Sequence, residues 1–250
     1  MSKEFFTTFH CLDDIGVISL SGSPGNIIPQ PAFVEPELFD EWTSRPGLKA
    51  LIIRGEGRNF SSGGDPSLIL QLSARGNDLE RSLEAGHRLL NRIEDLDIPV
   101  IAAINRICFG GGLEIALACH IRVVSANALL AFPEVNHNLV PGMGGTYRLP
   151  SLAGQAQAAV TILGGDIVTA ADALKMGIVD HVAPADAAFD YALALARKMT
   201  SDRPLPLIRS VMKVLNNSRT LPREEAMAEE TRLFCLLARD EAERRKNGGD

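Results

Sequence analysis

The run Val100-Ile101-Ala102-Ala103-Ile104-Asn105-Arg106-Ile107-Cys108-Phe109-Gly110-Gly111-Gly112-Leu113-Glu114-Ile115 decides the fold class. Pro99 introduces it, and Val100 to Ile104 is an unbroken apolar stretch that reads as a buried strand. The glycine triplet breaks the stretch, and Leu113 to Cys119 resumes it as a helix. A strand that passes through a glycine turn into an apolar helix is the unit of an α/β protein. Glycine allows positive φ and close approach of a ligand to the backbone. Where such a turn opens a helix, free N–H groups point outward with the helix dipole behind them. That arrangement suits negative charge, either phosphate or a developing oxyanion.

Upstream, Phe5 to Leu20 alternates and breaks at Asp13-Asp14-Ile15-Gly16, which predicts a β-hairpin. Ser21 to Pro36 carries Pro24, Gly25, Pro29, Pro31 and Pro36 and reads as a loop. Glu37 to Ser44 has room for barely two helical turns, and Lys49 to Arg54 is a buried strand. Gly55 to Asp65 is a Gly/Ser/Asn-rich loop that again follows a strand directly. Leu79, Leu83, Gly86, Leu90 and Ile93 share one face, so residues 78–95 form an amphipathic helix.

Downstream, Ile121 to Ser125 and Leu129 to Phe132 are short strands. From Ser151 onward the pattern is helical, over 151–163, 169–176, 186–200, 204–217 and 222–246. The change near residue 150 predicts a βα core followed by a helical appendage. The segment from Arg239 to Asp250 is charged but balanced, and reads as a solvated helix end.

Composition narrows the function. The 250 residues suit one large domain. A net charge of −6 argues against a nucleic-acid binder, which carries a basic stripe. The four cysteines, Cys11, Cys108, Cys119 and Cys235, show no metal or redox spacing and read as reduced intracellular thiols. The most apolar stretch, Ile98 to Val124, is interrupted by Asn105, Arg106, Glu114, His120 and Arg122, so no membrane span is expected. The residues from Met1 to His10 lack the order of a signal peptide, and the expectation is a cytoplasmic protein.

Three segments could carry chemistry. They are Asn59-Phe60-Ser61-Ser62-Gly63-Gly64-Asp65, the glycine triplet with Glu114, and Ala131-Phe132-Pro133-Glu134-Val135 followed by Leu139-Val140-Pro141-Gly142-Met143-Gly144-Gly145-Thr146. Neither glycine loop has the spacing of a dinucleotide or Walker loop. Glu114 and Glu134 both sit among apolar neighbours, where a carboxylate is uncommon without a partner. Two such groups at one cavity could share protons and do acid–base work. Ser61 and Ser62 would suggest a hydrolase only with a base beside them, and no histidine is so placed by sequence.

In order and spacing these segments resemble the crotonase family (enoyl-CoA hydratase/isomerase). Ala170-Ala171-Asp172-Ala173-Leu174 and Gly177-Ile178-Val179-Asp180 match the stretch that closes the family core, so the resemblance runs from about residue 12 to 215. It implies an α/β fold: a crotonase-like spiral of βαβ turns over residues 1–195 and a C-terminal helical trimerisation region over 196–250. It further implies an oxyanion hole built from the N–H groups of Ser62 and Gly111. Phe60, Ser61, Gly63, Gly64, Asp65, Gly110, Pro133 and Gly142 would line the CoA and acyl site. Glu114 and Glu134 would be catalytic, holding the water that adds to Cβ, with Glu134 supplying the proton to Cα.

The implied substrate is an acyl-CoA, with no cofactor beyond the CoA it carries and no metal. The implied assembly is a homotrimer or a dimer of trimers. Keeping both glutamates favours a hydratase over an isomerase or decarboxylase of the same family. Ser21 to Gly47 is shorter than usual, with only Asn26 echoing a family motif, and this leaves a carrier-protein thioester open. Lys49 and Arg58, or Arg244, Arg245 and Lys246, are candidates for the CoA phosphates. Leu68 to Leu72 and the face of the 78–95 helix are candidates for the acyl wall. His137 is near enough in sequence to Glu134 to line the pocket, and His120 reads as a packed or surface residue.

Overall fold

Alternating exposure along β1 (Phe6–Leu12) and burial of all but the last residue of β2 (Ile15–Ser21) distinguish an edge strand from an inner one in the computed structural model. The structure describes residues 5–22, 24–246 and 248. Residues 1–4 of the N-terminal segment, Ser23 of the proline-rich loop, and 247, 249 and 250 of the charged tail lie outside the described residues. Asp13, at φ 59°, makes the tight turn that pairs the two strands antiparallel, Leu12 opposite Ile15. The loop that follows folds back on itself. Buried Asn26 donates to the carbonyls of Glu56 (3.0 Å), Asn59 (2.8 Å) and Phe60 (3.1 Å), tying the loop to the second glycine loop.

After α1 (Pro36–Thr43) the chain enters β3 (Ala50–Gly55). Helix α2 (Pro66–Ser73) was not read from the sequence. Asp65 caps it and Pro66 opens it, but none of its residues is buried, so it has no apolar stripe facing a core. Amphipathic α3 (Asp78–Glu94) follows, burying Gly86, Leu89, Leu90 and Ile93. Pro31 packs where a side chain on Gly86 would be; an added Cβ would fall 2.5 Å from Pro31 Cβ. The shortened proline-rich loop is thereby seated on α3.

The next two passes share one design. β4 (Val100–Ile104) enters the large sheet, β5 (Ile107–Phe109) a small one, and α4 (Gly111–Ala118) crosses back. β6 (Ile121–Ser125) then joins the large sheet and β7 (Leu129–Ala131) the small one. A 3-10 turn, Pro133–His137, leads towards α5 (Gly145–Ala153) and α6 (Gln155–Gly164). β8 (Val168–Thr169), α7 (Ala170–Lys175), β9 (His181–Ala183), α8 (Ala188–Thr200), α9 (Leu205–Thr220) and α10 (Arg223–Lys246) complete the chain.

The large sheet has the order β1-β2-β3-β4-β6-β9, parallel beyond the first pair, and the small one β5-β7-β8. Ser61 bridges Cys108 in parallel, so the β3 pass repeats the same design in abbreviated form. This is the spiral of βαβ turns with a C-terminal helical region.

Three expectations change. The helix expected over 151–163 is two helices, because Gly154 at φ 80° breaks it, and the first begins earlier, at Gly145. β5, β8 and β9 were missed, since two or three residues are too few to show a period. The part after residue 150 is also more than an appendage. β9 becomes the sixth strand, and α8 lays Ala188, Ala192 and Ala196 against Ile52, Ile101 and Val123 on the outer sheet face. α9 buries Ile208 and Met212, while α10 buries Leu233 and packs on α9.

Candidate active site

The floor of the site is two glycine loops pressed together. Gly63, at φ 88°, lies so close to the next loop that an added Cβ would meet the Phe109 carbonyl at 2.7 Å. Gly112 faces Ser61 in the same way. Phe109 N–H donates to Ser61 O and Ser61 N–H to Ile107 O, which holds the loops in register. At this junction the amides of Gly64 and Gly111 have no hydrogen-bond acceptor among the described residues. A Cβ placed on Gly111 would stand 3.8 Å from Gly64 N, so the two free amides are neighbours. Gly111 is the first residue of α4, which adds the positive end of the helix dipole.

Glu114, one turn into α4, is 2% exposed. Its Oε1 accepts from Met143 N–H (2.7 Å) and Gly145 N–H (2.8 Å). Burial raises its pKa above the ordinary carboxylate value, and the two amides with nearby Arg148 pull part of that back. Gly145 must be glycine here, since an added Cβ would meet the Phe132 ring at 2.7 Å and Glu114 Oε1 at 3.1 Å.

Glu134 lies in the 3-10 turn, half-buried, with its Oε1 against Gly110; a Cβ on that glycine would fall 2.6 Å away. Its Oε2 is buried with no hydrogen-bond partner among the described residues. Burial, with the negative charge of Glu114 adding to it, pushes its pKa up to about 7. One carboxylate is thus held by two donors, and the other is left with an unsatisfied oxygen and a high proton affinity.

The structure brings together Glu114, Glu134, Gly63, Gly64, Gly110 and Gly111 around this junction. Pro133 opens the turn that carries Glu134. Gly142 precedes Met143, and its carbonyl accepts from His87 Nε2–H at 2.7 Å.

Four expected residues do other work. Phe60 is fully buried and belongs to the core. Ser61 is also fully buried, and its Oγ donates to Asn26 O at 2.7 Å. Ser62 N–H, expected in the oxyanion hole, donates instead to Gly25 O at 2.9 Å, and its Oγ donates to the same carbonyl. Asp65 caps α2 by accepting from Ser67 N–H. With both serine hydroxyls spent on backbone carbonyls, neither is paired with a base.

Sequence reasoning missed the Met143 and Gly145 amides and Arg148. The signal existed for Gly145, because a glycine opening a helix has a free N–H by construction.

His120 is packed: its Nδ1 accepts from Val100 N–H and its Nε2–H donates to Glu94 O. Burial lowers its pKa to about 4, so it is neutral. His137 is exposed and lowers the proton affinity of Glu134. Lys49 lies at the start of β3, away from the glycine loop, and pairs with Asp14 at 3.0 Å. Arg244 and Arg245 are tied to Glu241 on their own helix. Arg58 is exposed on the loop itself.

Leu79 and Leu83 of α3 line a 460 Å³ cavity with Gly142, beside the turn that grips Glu114. A larger cavity of 1430 Å³, bordered by Glu94, Arg148, Val211 and Leu215, does not include either catalytic candidate. Among the described residues no group of His, Cys, Asp and Glu side chains is arranged to hold a metal ion, and no helix is long and apolar enough to cross a membrane.

The chain resembles known proteins over most of its length. The family profile described as Enoyl-CoA hydratase/isomerase matches residues 37–248. A probable enoyl-CoA hydratase of Bacillus subtilis is 34% identical over 223 residues, covering 88% of this chain and 85% of that protein. The 2,3-dehydroadipyl-CoA hydratase of Escherichia coli is 35% identical over 196 residues, covering 78% and 74%. The crystal structure of an enoyl-CoA hydratase from Thermoplasma volcanium superposes with a TM-score of 0.83 at 26% identity, covering 95% and 94% of the two chains.

Proposed function

The chain belongs to the enoyl-CoA hydratase/isomerase family, and from that premise we propose that it adds water across the 2,3-double bond of an enoyl-CoA thioester. The observation that carries the reading is the unequal carboxylate pair beside two free amides. The thioester oxygen accepts from Gly64 and Gly111 N–H, which replaces the Ser62 amide in the oxyanion hole. These donors stabilise the enolate as its charge develops, and losing one costs about 2.7–4 kcal/mol of barrier.

Glu114, anionic and oriented by its two amides, holds the water and takes its proton as the oxygen bonds to Cβ. Glu134, in its protonated form below about pH 7, delivers a proton to Cα. The net addition is one water, and the pair returns to its starting state when the proton passes from Glu114 to Glu134. Two such carboxylates titrate as a coupled pair.

Arg58, exposed on the glycine loop, is a basic side chain available to the CoA phosphates. Exposed Val160, Leu163 and Ile167 around α6, with Met227 and Phe234 on α10, support assembly into a homotrimer or a dimer of trimers. Reduced thiols at buried Cys108 and Cys119 support a cytoplasmic setting.

The test is a mass-spectrometric screen of 2-enoyl-CoA thioesters for the gain of one water, beside Glu114→Gln and Glu134→Gln. Both variants are expected to bind substrate and lose turnover. Unchanged rates in both sink the proposal. Loss of carbon dioxide or a shifted double bond without hydration moves it to a decarboxylase or isomerase.

A further inference from the structure

Arg148 is 5% exposed, on α5, and its hydrogen bonds go to Glu94, Asn91 and Met143 rather than to Glu114 or Glu134. A buried guanidinium needs partners, and it has three on two elements. Nε donates to Glu94 Oε2 (2.9 Å), Nη2 to Asn91 Oδ1 (2.7 Å), and Nη1 to Met143 O (3.1 Å). The last contact matters for the site. Met143 presents its carbonyl to Arg148 and its amide to Glu114 Oε1. The next residue, Gly144, takes φ 96°, and the space a Cβ would need is filled by the Arg148 guanidinium. Glu94 has a second bond, from Arg219 Nη1 of α9 to its Oε1 (2.9 Å). Charges therefore alternate from the catalytic pocket to the C-terminal helices: Glu114, Arg148, Glu94, Arg219.

The structure assigns Arg148 as a positioning residue for Glu114: braced by Glu94 and Asn91, its guanidinium sets the Met143–Gly145 turn whose amides orient the carboxylate. This rests on the hydratase reading of Glu114. An ion pair buried only for stability gains little over apolar packing, whereas here the fork geometry of arginine holds a left-handed turn in one place. The same guanidinium also lowers the proton affinity of Glu114.

The experiment is a double-mutant cycle on the full chain, with Arg148→Met and Glu114→Gln. Arg148→Met is expected to lower kcat by about 10²-fold with little change in KM, the loss typical of a misplaced catalytic group. In the Glu114→Gln background the same substitution should change the residual rate far less, because the carboxylate it serves is already gone. Arg148→Lys should recover part of the rate, keeping the charge but not the fork. Glu94→Gln, of equal size, reports on the brace should Arg148→Met fail to fold, and is expected to lower kcat in the same non-additive way. Equal fold-losses in both backgrounds, or a wild-type kcat in Arg148→Met and Glu94→Gln, overturn the assignment. Unchanged turnover in Glu114→Gln alone would instead overturn the hydratase reading.

Discussion

Glu114 and Glu134 differ because of what each oxygen meets, and the difference predicts a pH dependence. In the proposed mechanism Glu114 works as an anion and Glu134 with its proton on. Glu134 loses that proton as pH rises through about 7. The basic limb of kcat/KM is therefore expected near that pH, with the macroscopic values belonging to the pair. A rate flat through neutrality into the alkaline range contradicts this assignment. The same shift has a stability consequence of definite sign. The folded pKa of Glu134, about 7, lies above the model-peptide 4.5, so its favourable contribution is complete below 4.5 and lost as pH rises through 7. Glu134→Gln should thus be inactive yet more stable than wild type above pH 7, by on the order of 2 kcal/mol, with the gain vanishing below 4.5. Denaturant midpoints at the two extremes check it. The burial of both glutamates was legible in the sequence, because a carboxylate between apolar neighbours stands out. The free amides were legible only to the level of the loop, since nothing in Phe60-Ser61-Ser62-Gly63-Gly64 tells which amide Gly25 will occupy.

At the scale of elements, glycine turns and one histidine hold the site together. Gly110 combines φ 49° with ψ −123°, a region hostile to side chains, and Glu134 fills the space a Cβ would need. Gly110→Ala is expected to displace Glu134 and lower kcat by about 10²-fold, measured by the same hydration assay. His120 joins the start of β4 to the end of α3 through both ring nitrogens. Its pKa, lowered from 6.5 to about 4, means that its stabilising contribution is present above 6.5 and lost as pH falls towards 4. His120→Ala leaves Val100 N–H without this partner, at about 1–3 kcal/mol for the unsatisfied group, while Glu94 C=O keeps its bond from Arg219 Nη2. The deficit should be largest at neutral pH and shrink in acid; equal deficits at both would refute the linkage. Elements with a long period, such as α3, were legible in the sequence. The three-residue strands β5 and β9 were not, because at that length pairing partners decide the conformation.

For the whole molecule, the net charge of −6 has to be reconciled with a polyanionic substrate. Arg58 is exposed on the glycine loop, while Lys49, Arg244 and Arg245 are paired with carboxylates elsewhere. Exposed apolar side chains mark the surface that assembly would cover. Leu163, 77% exposed at the end of α6, is the test position. Leu163→Glu should lower the mass seen by light scattering from a multiple of 26.9 kDa towards the single chain; a wild type already at 26.9 kDa refutes assembly.

Residue order was enough to settle the alternation of strand and helix, the two glycine loops and the two carboxylates. Those depend on neighbours along the chain: apolar periodicity, breakers, and the helix start that leaves amides free. Tertiary structure alone decided which amides stayed free and which carboxylate was satisfied. Ser62 lost its amide to Gly25, 37 residues away, and Glu114 gained Met143 and Gly145 from beyond Glu134. A buried polar group takes whatever partner the fold delivers, and that partner is set by the packing of distant segments rather than by spacing along the chain.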